Sequence, residues 1–206
     1  MSRLTAFSQL FFVCFTCLSS ASLYAEQINA PLSELPIDPS FKVGRLSNGL
    51  SYYIKQNQTP KKQVELRLVV KFGSIDESAE ERGAAHFIEH MVFRNSQQFR
   101  SGSLVRMFGS LGLKLGENVN ATTSHEKTVY QMSLIPQNET QVKTALSGLA
   151  AIAGGAKFLD QDVASEAGII DEEERQRKNF TYRRTEAMLD FFYRGTVHAQ
   201  HLHIGD

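Results

Sequence analysis

Cysteine is confined to the first 25 residues, where Cys14 and Cys17 are the only two in the chain, and tryptophan is absent. Beyond that segment there is no disulfide framework and no thiolate chemistry, so a metal site there must be built from histidine and carboxylates. An excess of charge of either sign is also missing: 22 Lys and Arg balance 22 Asp and Glu, with no basic block. Neither nucleic acid nor an anionic membrane surface is therefore expected as a partner. No apolar run reaches the roughly 20 residues that a membrane span needs. What remains is a globular composition, 42% hydrophobic and 21% charged over 206 residues, enough for one domain with its own core.

The first residues stand apart from the rest. Arg3 supplies a positive start, Leu10 to Leu18 an apolar stretch, and Leu23-Tyr24-Ala25 a small-residue cleavage site. Residues 1–25 are expected to be a signal peptide, cut after Ala25 or Ala21, leaving no membrane span afterwards; a signal anchor is the alternative. The residues before each cysteine lack the small side chain that a lipid-attachment site requires. Residues 26–40 hold Pro31, Pro36 and Pro39 and read as a linker, leaving 41–206 as the folded domain.

Strand-like runs come first in that domain. Phe41 to Leu46 and Leu50 to Lys55 flank Ser47-Asn48-Gly49, a hairpin turn signal. Val64 to Phe72 alternates and is rich in β-branched residues, and Thr128 to Ile135 is a further strand. Helices are expected over Glu81–Phe93, Leu104–Leu111, Asn138 (as cap) to Ile152, Asp160 past Gln176, and Tyr182–Tyr193. A cluster of strands followed mainly by helices predicts an α+β fold, a mainly antiparallel sheet with helices packed on one face.

The chemistry is concentrated in His86-Phe87-Ile88-Glu89-His90. At about 100° per residue, His86 and His90 fall about 40° apart on one helix face, with Glu89 about 60° to the other side of His86. Two imidazoles one turn apart can bind one zinc ion, and Glu89 sits where it reaches water at the metal in place of the metal itself. The pattern is the zinc-protease helix motif read backwards. Its chemistry would be hydrolysis with Glu89 as general base. Two surface histidines beside a glutamate are the bland alternative. A catalytic zinc wants a third protein ligand, here His, Asp or Glu. The acidic run Asp171 to Glu174 offers several, but a solvated helix face explains such a run equally well.

Longer stretches extend the pattern. Gly73-Ser74…Glu77, Gly83 to Phe93, Asn120-Ala121-Thr122-Thr123…Thr128-Val129-Tyr130 and Glu166…Ile169-Ile170…Glu172-Glu173 together resemble the pitrilysin/insulinase family of zinc metallopeptidases, especially its bacterial periplasmic members. The resemblance covers residues 41 to 205. It implies a Zn²⁺ cofactor, a peptide or unfolded-protein substrate, a periplasmic location and the sheet-and-helix half typical of the family. It also implies Glu173 as third ligand in preference to Glu172, Glu166 as an acidic residue supporting the site, and Asn120 and Ala121 on an edge strand that pairs with substrate.

Some positions depart from that pattern. Arg94-Asn95-Ser96 stands where a Lys/Asn-Gly-Thr turn is usual, residues 112–117 suggest an inserted loop, and His203 replaces a proline. Family members carry at least one more domain, so a C-terminal domain or partner subunit is expected. The alternative is a truncated remnant or partner subunit that binds zinc or peptide without turnover. His198, His201 and His203 form a His-rich tail, either a second metal site or a frayed end. His125 reads as a polar turn residue.

Overall fold

The computed structural model describes residues 36–201, so the signal-like segment, most of the linker and His203 lie outside the described residues. The chain divides into two units, one up to Asn57 and one from Gln58. In the first, β1 (Phe41–Arg45) and β2 (Ser51–Lys55) form an antiparallel hairpin. Its turn is the expected one: Gly49 takes φ 91°, and Asn48 Oδ1 accepts from the Leu50 N–H at 3.1 Å. A positive φ favours glycine, which has no Cβ to clash.

The second unit has a three-stranded antiparallel sheet in the order β3-β5-β4, from β3 (Val64–Val70), β4 (Val119–Thr123) and β5 (Thr128–Leu134). Among the described residues five α-helices accompany it: α1 (Ala84–Met91), α2 (Ser103–Ser110), α3 (Glu139–Gly154), α4 (Asp160–Arg177) and α5 (Phe180–Tyr193). The class is α+β, as expected. Leu66 faces Met132 and Leu68 faces Tyr130 across the β3–β5 register, and alternation puts these side chains on one side of the sheet. That side meets Leu104 and Phe108 of α2 and Ala145, Leu149 and Ile152 of α3 in one core. The opposite side carries Glu65, Arg67, Gln131 and Ser133, together with Val69 and Val129 at its far end.

Element ends differ from expectation in explicable ways. β3 stops at Val70 because Gly73 and Ser74 turn into a short 3₁₀ helix, Ser74–Asp76. Helix α1 starts at Ala84 instead of Glu81, since Gly83 at φ 88° breaks the preceding turn. β4 has no apolar alternation and is held by its pairing with β5. Gly112 and Gly116 take positive φ in the turn between α2 and β4. Asn138 caps α3 as expected, accepting from the Gln141 N–H at 3.1 Å.

Gly73 is required for a different reason from Gly49. Its backbone is extended, yet a Cβ there would lie 2.3 Å from the Ser124 carbonyl oxygen and 2.5 Å from that of His125. Ser74 and Ile75 N–H groups donate to those same carbonyls, so the two loops cannot separate cheaply. Gly73→Ala is expected to cost about 2–3 kcal/mol, read as a lowered melting temperature.

Candidate metal centre

Helix α1 lies on β4 and against α4, and the motif is positioned from both sides. Its N-terminus lacks a capping side chain of its own at Gly83. Glu77 supplies one from upstream: Oε2 accepts from the Gly83 N–H at 2.9 Å and Oε1 from that of Ala85 at 2.7 Å. A buried carboxylate on two otherwise unpaired helix donors is favoured both by the hydrogen bonds and by the helix dipole. Glu77→Ala should destabilise the chain by about 2 kcal/mol, measured as a shift of the denaturant midpoint at unchanged slope.

The helical spacing does what the sequence predicted. His86 and His90 rings approach to 4.7 Å between centroids. Helix α4 brings Glu173 to them, its Oε2 lying 3.3 Å from His90 Nε2 and 3.8 Å from His86 Nε2. The ligand atoms of His86, His90 and Glu173 all lie within 4.8 Å of one another, the one such set among the described residues. A zinc ion fits this donor set: two imidazole Nε2 atoms and one carboxylate oxygen face a common point, and three ligands leave a position open. The other Glu173 oxygen is held by Arg177, one turn further along α4. Glu172 points elsewhere, bonding Arg175 at 3.2 Å and Gln176 at 3.1 Å.

Glu166 is buried behind His90. Its Oε1 lies 2.9 Å from His90 Nδ1, and its Oε2 accepts from Arg94. Occupying Nδ1 leaves Nε2 to turn toward Glu173. One turn earlier on α4, Asp162 accepts from Asn95 Nδ2. The Arg94-Asn95 departure thus forms specific ties to α4. The following strand-like contact adds to them, with Lys157 N–H donating to the Asn95 carbonyl at 2.8 Å and Gln97 N–H to that of Gly155 at 2.7 Å.

Glu89 is buried and stands outside the three-ligand set. Burial pushes its carboxyl up from the usual carboxylate range, and a hydrogen bond from Thr123 Oγ1 opposes that shift. Thr123 belongs to β4, the edge strand of the sheet, which is in contact with α1. Asn118 accepts from Ser133 of β5 and Ser124 donates to Lys127 just before it, while Val119 bonds away from β5, to Lys114 and Gly116. By alternation, Asn120 directs its main chain at Gln131 of β5, and Ala121 directs its own to the open edge. The Asn120 side chain donates to the Glu117 carbonyl at 3.3 Å.

Of the tail histidines, His198 and His201 are within the described residues and touch the rest of the chain. His198 stacks on Tyr193 at 5.5 Å and lies 5.2 Å from His125 between ring centroids, and Ser74 Oγ donates to the His201 carbonyl at 3.3 Å. They form no set of metal-ligating atoms among the described residues. Glu77, Arg94, Asn95, Thr123, Asp162 and Arg177 all escaped assignment from sequence. The available signal was helical spacing, since Arg94 follows His90 and Arg177 follows Glu173 by four residues.

A family model described as Insulinase (Peptidase family M16) matches residues 52–203. The chain is 34% identical over 177 residues to the "Probable zinc protease PqqL" of Haemophilus influenzae, covering 86% of this chain and 18% of that protein. It superposes on the crystal structure of the periplasmic protease PqqL from Escherichia coli with TM-score 0.81 and 34% identity, covering 84% of this chain and 19% of that one. The first half of that protease, solved alone, gives the same TM-score, with 37% of it covered. The chain spans less than a fifth of the length of these curated relatives.

Proposed function

The chain belongs to the insulinase family, peptidase family M16, and from that premise we propose that residues 41–206 are the N-terminal, metal-bearing domain of a periplasmic zinc endopeptidase. By family it is a zinc metallopeptidase, and zinc is its cofactor. The observation that carries the proposal is the convergence of His86, His90 and Glu173 beside a buried Glu89 that is not one of the three. When bound, zinc supplies Lewis-acid chemistry, lowering the pKa of water to roughly 7 and polarising a peptide carbonyl.

The remaining work falls to the chain's own side chains. His86, His90 and Glu173 hold the metal, with Glu166 orienting His90. Glu89 accepts a proton from water at its carboxylate and passes it to the leaving amine. Thr123 holds Glu89 Oε2, which leaves Oε1 to carry the proton. The outward N–H and C=O of Ala121 pair with an extended peptide as an added strand, and Asn120 locks β4 to β5 beneath it.

A signal-like segment at residues 1–25 and the periplasmic setting of the Escherichia coli relative support export. No helix among the described residues is long and apolar enough to cross a membrane. Coverage of under a fifth of the relatives supports a further domain, in the same polypeptide or as a partner subunit, that closes over substrate. The test is to measure zinc per chain and peptide cleavage with and without the remainder of the protein. One zinc per chain and cleavage that depends on the remainder are expected; absence of stoichiometric zinc overturns the reading.

A further inference from the structure

We propose that Arg94 is a positioning residue of the metal site, fixing the plane of Glu166 so that one oxygen is aimed at His90 Nδ1. The proposal rests on the reading of His90 as a zinc ligand. The terminal torsion of a glutamate is soft, so hydrogen bonds decide which oxygen meets which neighbour. Glu166 is nearly inaccessible, its side chain 5% exposed, and water does not make that choice for it.

The guanidinium makes it. Phe93 N–H donates to the His90 carbonyl at 3.2 Å and Arg94 N–H to that of Met91 at 3.0 Å, carrying the helical path past the end of α1. Arg94 therefore emerges about one turn after His90 and on the same side. Its Nε and one terminal nitrogen both donate to Glu166 Oε2. Oε1 is left for His90 Nδ1 at 2.9 Å, and His90 Nε2 then faces Glu173 Oε2 at 3.3 Å. Arg94 also gives the buried carboxylate its counter-charge, without which one oxygen would be buried and unpaired. A lysine offers a point charge in place of this two-pronged grip.

The experiment measures the zinc dissociation constant of the full chain by competition with a chelator, for Arg94→Met, Arg94→Lys, Glu166→Gln and the Arg94→Met/Glu166→Gln double variant. Arg94→Met is expected to weaken zinc binding by about tenfold or more, and Arg94→Lys to recover part of that loss. The double variant is expected to bind zinc no more weakly than Glu166→Gln alone, because Arg94 then has nothing to position. A structural role unrelated to Glu166 would instead give losses that add in the double variant. Additive losses, or wild-type affinity in Arg94→Met, overturn the proposal while leaving the metal site standing. A wild-type chain that takes up no zinc overturns the site reading and this proposal together.

Discussion

Glu89→Gln is expected to retain zinc at wild-type stoichiometry while peptide hydrolysis falls by about 10²–10⁴-fold. Glutamine has the shape of glutamate, and its amide oxygen can still accept the Thr123 hydroxyl hydrogen. It cannot accept a proton from water at any working pH. The side chain lies outside the three-ligand set, so the metal has no reason to leave. Nor should the fold suffer. The carboxylate is buried at a cost that shows in its raised pKa, and a neutral amide of equal size removes that cost. The assay compares turnover of the chain plus the remainder of the protein, wild type against variant, with bound zinc measured on the same samples. Retained hydrolysis would sink the general-base role. Hydrolysis lost together with zinc would mean that Glu89 serves the metal directly.

The parts of this site that were legible in sequence are those fixed by local geometry. His86, Glu89 and His90 lie within five residues, and the helical repeat alone predicts which face each occupies. The Asn48-Gly49 turn and the Asn138 cap are local in the same sense, and both appear where expected. What could not be read is how distant segments meet. Thr123 reaches Glu89 across 34 residues and Arg94 reaches Glu166 across 72, distances over which no periodicity speaks. Glu173 was reachable only through family resemblance. An acidic run on a helix looks the same whether it faces solvent or a metal.

The α1–α4 contact explains why hydrophobic patterning gave so little help here. The residues of α4 that are buried are Asp162 and Glu166, both carboxylates, and each is paired with a side chain at or just past the end of α1. Burying carboxylates is a poor way to gain stability unless every oxygen is satisfied, and an apolar contact would usually serve the fold better. A helix interface that nonetheless uses charged groups is one set by the chemistry it holds. The pattern that reveals a core is therefore absent where the site is built.

The same geometry makes a sharp prediction about the third ligand. Glu173→Ala is expected to weaken zinc binding on the order of a hundredfold or more, since it removes one of only three protein ligands of an open site. His86→Ala should behave alike. Glu172→Ala should leave the affinity within about twofold, as expected of an exposed side chain remote from the metal. Glu172 is 52% exposed and engaged with Arg175, whereas Glu173 is 25% exposed with Oε2 turned to both histidines. Register enforces the difference. Glu166 is pinned to His90, and seven residues at about 100° each return Glu173 to within about 20° of the same face. Glu172, at six residues, falls about 120° away. Chelator competition on the three variants, with circular dichroism to confirm folding, decides the matter. Loss of zinc in Glu172→Ala with none in Glu173→Ala would require α4 to be turned by one residue, which would also pull Glu166 off His90.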